Sequence, residues 1–105
     1  MTREMYRQLL KQADALLRVD DYDGALHVYR EVARAYAAEG FALKAVAVWK
    51  QIREIIGRHA RAKHALDGEA RAALIVEYRR LGLELDALAI ETECAVIEAD
   101  KRTLH

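Results

Sequence analysis

The chain contains no proline, no asparagine and a single cysteine, Cys94, among its 105 residues. One thiol cannot close an internal disulfide, which excludes a disulfide-stapled secreted domain. No apolar run approaches the roughly 18 residues of a membrane span. The segment Met1-Thr2-Arg3-Glu4-Met5-Tyr6-Arg7 is charged and lacks the apolar stretch of a signal peptide. No membrane partner is therefore expected, and the expected compartment is the cytosol. Seventeen Lys and Arg balance seventeen Asp and Glu. A general binder of nucleic acid needs an excess of positive charge, which is missing here.

Motifs that carry chemistry are missing too. There is no GxGxxG or GxxxxGK[ST] loop to cradle phosphates, and no HExxH or CxxC to hold a metal. His59 and His64 are five residues apart, a spacing that does not stack two ligands on one helical face. Cys94 lies on an apolar helical seam and has no neighbouring base, so it reads as a packed thiol rather than a nucleophile. The expectation is a non-enzymatic protein with no cofactor and no metal.

What is present is alanine, arginine and a helical period. Apolar residues recur at steps of three and four nearly throughout, and the lack of proline favours long helices with short connections. The pattern predicts one domain, residues 1–105, all-α with about five helices, roughly 3–18, 22–39, 41–57, 68–81 and 83–102. Predicted inward faces are Met5, Leu9, Ala13, Leu16 and Leu17, then Ala25, Tyr29, Val32, Ala33 and Tyr36. Those of the next two helices are Ala45, Val48, Trp49, Ile52 and Ile56, then Ala70, Leu74, Tyr78 and Leu81. Gly40, Gly57 and Gly82 are the predicted stops, and Asp67 the predicted cap of the fourth helix. The fifth helix carries Ala87, Ile90, Cys94, Ile97, Lys101 and Leu104 at coiled-coil steps, flanked by acids on both sides.

Three stretches share one pattern, from Leu16 to Tyr29, Tyr36 to Trp49 and Tyr78 to Glu91. In each, a large residue, a short turn and a small residue follow in order, with Ala25, Ala45 and Ala87 each nine positions after Leu16, Tyr36 or Tyr78. A small residue just inside the second helix lets two antiparallel helices approach closely. In Val32, Ala33, Tyr36, Gly40, Ala45 and Trp49 the segment from Leu26 to His59 resembles a unit of the tetratricopeptide repeat family, a pair of antiparallel helices. The segment from Gly68 to Lys101 resembles a second unit through Leu74, Tyr78, Gly82 and Ala87. It departs from the family at Ile75, where a small residue is usual, and at Glu91, where an aromatic is.

The resemblance implies an antiparallel helix-pair, right-handed solenoid that binds a protein or peptide on a concave surface. Carried over by position, that surface would include His27, Arg30 and Arg34 from the first unit and Glu69, Val76, Arg79 and Arg80 from the second. Arg7 and Arg18 join them if the N-terminal helix plays the same role. Arginines gathered there would favour an acidic partner, because guanidinium pairs bidentately with carboxylate. The asparagine-containing clamp of chaperone-binding members is absent with asparagine itself. A second expected interface is the acidic flank of the fifth helix, Glu84, Asp86, Glu91, Glu93 and Glu98. Its basic neighbour would be the connection Gly57 to His64, in the same chain or a second copy. Two competing functions are a subunit that self-assembles through its helix ends or this acidic helix, and a small DNA-binding regulator using Lys50 to Lys63.

Overall fold

Helix signals in the sequence are realised almost end to end. The computed structural model describes residues 1–59 and 64–103, with side chains through Asp100. Within them lie five helices and no strand: α1 (Arg3–Arg18), α2 (Tyr22–Ala38), α3 (Ala42–His59), α4 (Ala65–Arg80) and α5 (Glu84–Thr103). The Thr2 hydroxyl accepts from the Met5 N–H and the Asp21 carboxylate from the Gly24 N–H, so each satisfies an orphan donor of its helix. Each helix packs mainly on the next in the chain. The molecule measures 46 × 34 × 15 Å. Fifteen ångströms across the Cα atoms is the depth of two helices packed at about 8–10 Å.

Three of the four connections are the same turn. The N–H groups of Asp21, Phe41 and Leu83 donate to the carbonyls of Leu16, Tyr36 and Tyr78 at 2.9, 2.8 and 2.8 Å. One residue earlier, Asp20, Gly40 and Gly82 donate to Leu17, Ala37 and Arg79 at 3.0, 3.1 and 3.1 Å. This double closure is the Schellman arrangement, and it requires a left-handed residue. Asp20 (φ 60°), Gly40 (φ 84°) and Gly82 (φ 74°) supply it. Four residues past each turn, Ala25, Ala45 and Ala87 are fully buried. The aligned positions of the sequence pattern are thus structurally equivalent.

The fourth connection departs from expectation. Gly57 does not stop α3, which runs on to His59. Ile55 and Ile56 are buried, and the Tyr22 ring stacks on His59 at 4.9 Å, so tertiary contacts hold the last turn. A glycine in a helix interior costs only about 1 kcal/mol, which those contacts outweigh. The cap of α4 is His64, whose Nδ1 accepts from the Leu66 N–H while Nε2 donates to Asp23. Asp67 lies within the first turn and instead receives Arg53 at 3.3 Å and Arg71 at 3.2 Å. Residues 60–63 of the basic connection, and Leu104 of the seam, lie outside the described residues.

The core follows the expected faces, with two corrections. Met5 is half exposed, and Tyr6, one position on, is buried against Tyr36 instead. Val46 and Ile55 of α3 are also buried, because α3 is covered by α2 on one side and α4 on the other. Trp49 is fully packed.

The turn equivalence has measurable consequences. A Cβ at Gly40 or Gly82 would meet nothing within 4 Å, so replacement acts only through the positive φ. Gly40→Ala and Gly82→Ala should each lower stability by about 1 kcal/mol in urea unfolding, and Asp20→Gly should raise it by up to about 1 kcal/mol. Equal stability of all three variants and the wild type would show that the turns are not equivalent. Ala45→Leu should cost about 1–3 kcal/mol by overpacking the helix approach.

Candidate functional site

Alternation of helices sorts them into two layers. Arg30 and Arg34 of α2 reach Glu69 of α4, and Arg80 of α4 reaches the Ala37 carbonyl of α2. These helices are therefore side by side in one layer. In the other, Arg53 of α3 holds Glu93 of α5, and α1 lies alongside α3. Apart from Arg7 and Arg18 of α1, the expected binding surface belongs to the first layer, and the acidic flank belongs to the second.

In the first layer the arginines are matched by acids of the same chain. Arg30 donates to Glu69 at 2.6 Å and Arg34 bonds its other oxygen. Burial pushes the Glu69 carboxyl up, but the two guanidinium groups outweigh it and hold it below the usual carboxylate range. Arg80 pairs at 3.0 Å with Glu77, which is almost wholly buried. Arg79 binds Glu91 and, at 3.4 Å, Glu84. The Glu91 hydrogen bond raises the Arg79 pKa above its already high ordinary value. His27 lies 3.3 Å from Glu31 one turn along α2, and Val76 is exposed on α4.

On the acidic flank, Glu84 and Glu91 therefore meet Arg79, and Glu93 meets Arg53. Burial lowers the Arg53 pKa, but bonds to Glu93 and Asp67 overcome it and raise it on balance. The basic partners of these acids are thus Arg53 and Arg79. Neither belongs to the 57–64 connection, of which 60–63 lie outside the described residues. Asp86 and Glu98 are exposed on α5. In the basic stretch from Lys50, Arg53 is engaged as described and Arg58 lies 2.8 Å from Glu54.

A cavity lies elsewhere, between α1 and the start of α3, and is an open groove of about 640 Å³. Its floor is a run of aromatic rings. Tyr6 stacks on Tyr36 with centroids 4.1 Å apart, and Phe41 meets Tyr36 edge-on at 6.3 Å. Lys44 Nζ lies 5.1 Å from the Phe41 centroid and 5.7 Å from that of Tyr36. Such contacts contribute roughly 0.5–1.5 kcal/mol per pair. Phe41 is 46 % exposed, a large ring left open to solvent beside the groove.

Cations surround this floor. Arg3, Arg7 and Lys11 recur every four residues along α1, and Lys44 faces them from α3. Of the acids nearby, Glu4 lies 3.7 Å from Arg7 on the same helix, and the other two are engaged away from these cations. Asp14 receives Arg18 at 2.7 Å. Glu39 accepts the Met1 amine at 2.6 Å and the Tyr6 hydroxyl at 2.8 Å. Those two hydrogen bonds, the amine's first, hold the Glu39 carboxyl below its ordinary value. Burial, reinforced by Glu39, pushes the Tyr6 hydroxyl up to about 12. The net result is apolar below and positive around, the right chemistry for an apolar anchor flanked by carboxylates.

Arg7 is the one expected site residue that lines this groove. Tyr6, Phe41, Lys44 and the i, i+4 cations of α1 were missed, although the Arg3-Arg7-Lys11 spacing was available in the sequence. Among the described residues, no group of His, Cys, Asp and Glu is arranged to hold a metal ion. Nor is any helix among them long and apolar enough to cross a membrane.

The Tyr6–Glu39 bond gives a pH signature. Tyr6 is favoured neutral in the folded state, so its stabilisation is complete below pH 10 and is lost as pH rises from 10 towards 12. Glu39 acts oppositely, contributing above its ordinary pKa and losing its contribution as pH falls below that value. Tyr6→Phe should therefore lower stability at neutral pH by about 1 kcal/mol and flatten the alkaline decline. An unchanged alkaline profile would show that another group controls it.

The chain matches no protein-family model, no curated protein and no solved structure, so the functional reading rests on this geometry.

Proposed function

We propose that the chain is a non-enzymatic, tetratricopeptide-like interaction module that takes an acidic amphipathic segment of another protein. Support for the helix-pair reading comes from the three equivalent turns and their buried alanines. The observation that carries the functional reading is the groove, with its aromatic floor and cationic rim. An incoming helix would seat one or two apolar side chains on Tyr36 and Phe41 and aim its carboxylates at Arg7, Lys11 and Lys44. This is helix-in-groove recognition, with anchors supplying affinity and charge supplying register and rate. The arginines of α2 and α4 offer less, because an incoming acid would have to displace Glu69, Glu84 or Glu91 from existing pairs.

A labelled helical peptide with a leucine stripe flanked by glutamates tests this by fluorescence anisotropy. Binding should weaken about tenfold or more in Lys11→Glu/Lys44→Glu and at high salt. Arg34→Gln/Arg79→Gln should bind nearly as the wild type does. Reversed sensitivities would move the surface to the α2–α4 layer, and no binding by the wild type would remove the proposal.

A further inference from the structure

The two ends of the helix row are unlike. The outward side of α1 is polar, as in Glu4, Gln8 and Arg18, which suits a helix that ends a stack. The outward side of α5 is not. Ala87 is fully buried, and Ile90, Cys94 and Ile97 are half-buried on the side towards α4. On the opposite side Leu85, Leu88, Ala89, Ala95 and Val96 are exposed in one stripe, with Leu85 at 82 %. A second apolar stripe on one helix has no use in burying that helix against its own chain.

Charge says what would cover it. Residues 84–100 carry six carboxylates and no cation, although the whole chain is neutral. Three acids lie on each side of the stripe, Glu84, Glu91 and Glu98 on one and Asp86, Glu93 and Asp100 on the other. Glu84 and Glu91 share the single charge of Arg79, and Glu93 shares Arg53 with Asp67, so these pairs leave carboxylate in excess of cation. Pairing α5 with α5 of another copy, parallel or antiparallel, would set acid against acid. The surface of opposite sign with an apolar floor is the groove between α1 and α3, on the same chain and so present in equal number.

We propose that copies of this chain associate head to tail, the apolar stripe of α5 from one copy seating in the α1–α3 groove of the next. This rests on the reading of the groove as a receptor for acidic amphipathic helices and names its partner as a second copy. Leu85 and Leu88 supply the anchors for the aromatic floor. The excess negative charge of the flanks, which the Arg53 and Arg79 pairs only partly offset, faces Arg3, Arg7, Lys11 and Lys44. Because the two surfaces differ, the contact is heterologous, and each added copy leaves a free groove at one end and a free stripe at the other. Assembly proceeds past the dimer unless the rotation closes a ring.

Sedimentation velocity of the full chain over a range of concentrations tests this, with circular dichroism to verify folding of each variant. The wild-type mass should rise with concentration beyond a dimer and fall back at high salt. Lys11→Glu/Lys44→Glu, which spoils the groove, and Leu88→Asp/Val96→Asp, which spoils the stripe, should each be monomeric alone. Mixed in equal amounts, they should form a one-to-one dimer and nothing larger, since one intact stripe meets one intact groove. Association lost only in the stripe variant would overturn the inference in favour of α5–α5 contact. A wild type that stays monomeric yet binds the acidic peptide would overturn self-association and leave the groove reading standing. A monomer that binds no peptide would remove both.

Discussion

Close approach of consecutive helices at three buried alanines is the constraint on which the rest of the molecule depends. Ala25, Ala45 and Ala87 sit one turn past equivalent Schellman closures, and none has room for a larger side chain without displacing a helix. With α2 pinned to α1 at one end and to α3 at the other, the odd-numbered helices fall into one layer. Tyr36 of α2 then shows its ring between α1 and α3, where Tyr6 stacks on it. The groove is a consequence of that spacing, and its floor is lent by the helix beneath.

Electrostatics divides the surface into a saturated part and an open part. Glu69 binds two arginines of α2, while Arg79 and Arg53 each bind two carboxylates. The Arg30–Glu69, Arg34–Glu69 and Arg53–Glu93 pairs join helices that do not follow one another in the chain and brace each layer sideways, whereas the Arg53–Asp67 pair and those of Arg79 tie consecutive helices across the layers. Among the cations of the groove Arg7 has an exposed 3.7 Å pair with Glu4, while Asp14 and Glu39 are taken by Arg18, the Met1 amine and the Tyr6 hydroxyl. A net charge of zero thus conceals a positive groove near one end and a negative helix at the other.

Much of the fold was legible in the sequence because local and tertiary signals agree. The spacing from Leu16, Tyr36 and Tyr78 to the alanines located three turns correctly, since the left-handed position and the small residue are both local demands. Gly57 misled because its signal is also local, whereas Ile55, Ile56 and the Tyr22–His59 stack that extend α3 are not. Asp67 resembles a cap by composition, but Arg53, fourteen residues earlier, claims its carboxylate. The site was less legible still. Arg30, Arg34, Arg79 and Arg80 drew the expectation by number, and only the packing of α2 beside α4 shows that acids meet them. Tyr6 and Phe41 sit on either side of a groove formed by helices one apart in the chain, a juxtaposition that no periodicity within one helix encodes.

Amide resonances of the folded chain, followed while an acidic amphipathic peptide is added, report most directly on whether the groove is the working surface. Salt-dependent shifts are expected at Tyr6, Lys11, Phe41 and Lys44, with Arg30, Arg34 and Arg79 left in place. Shifts confined to α2 and α4, with the groove silent, would contradict that assignment.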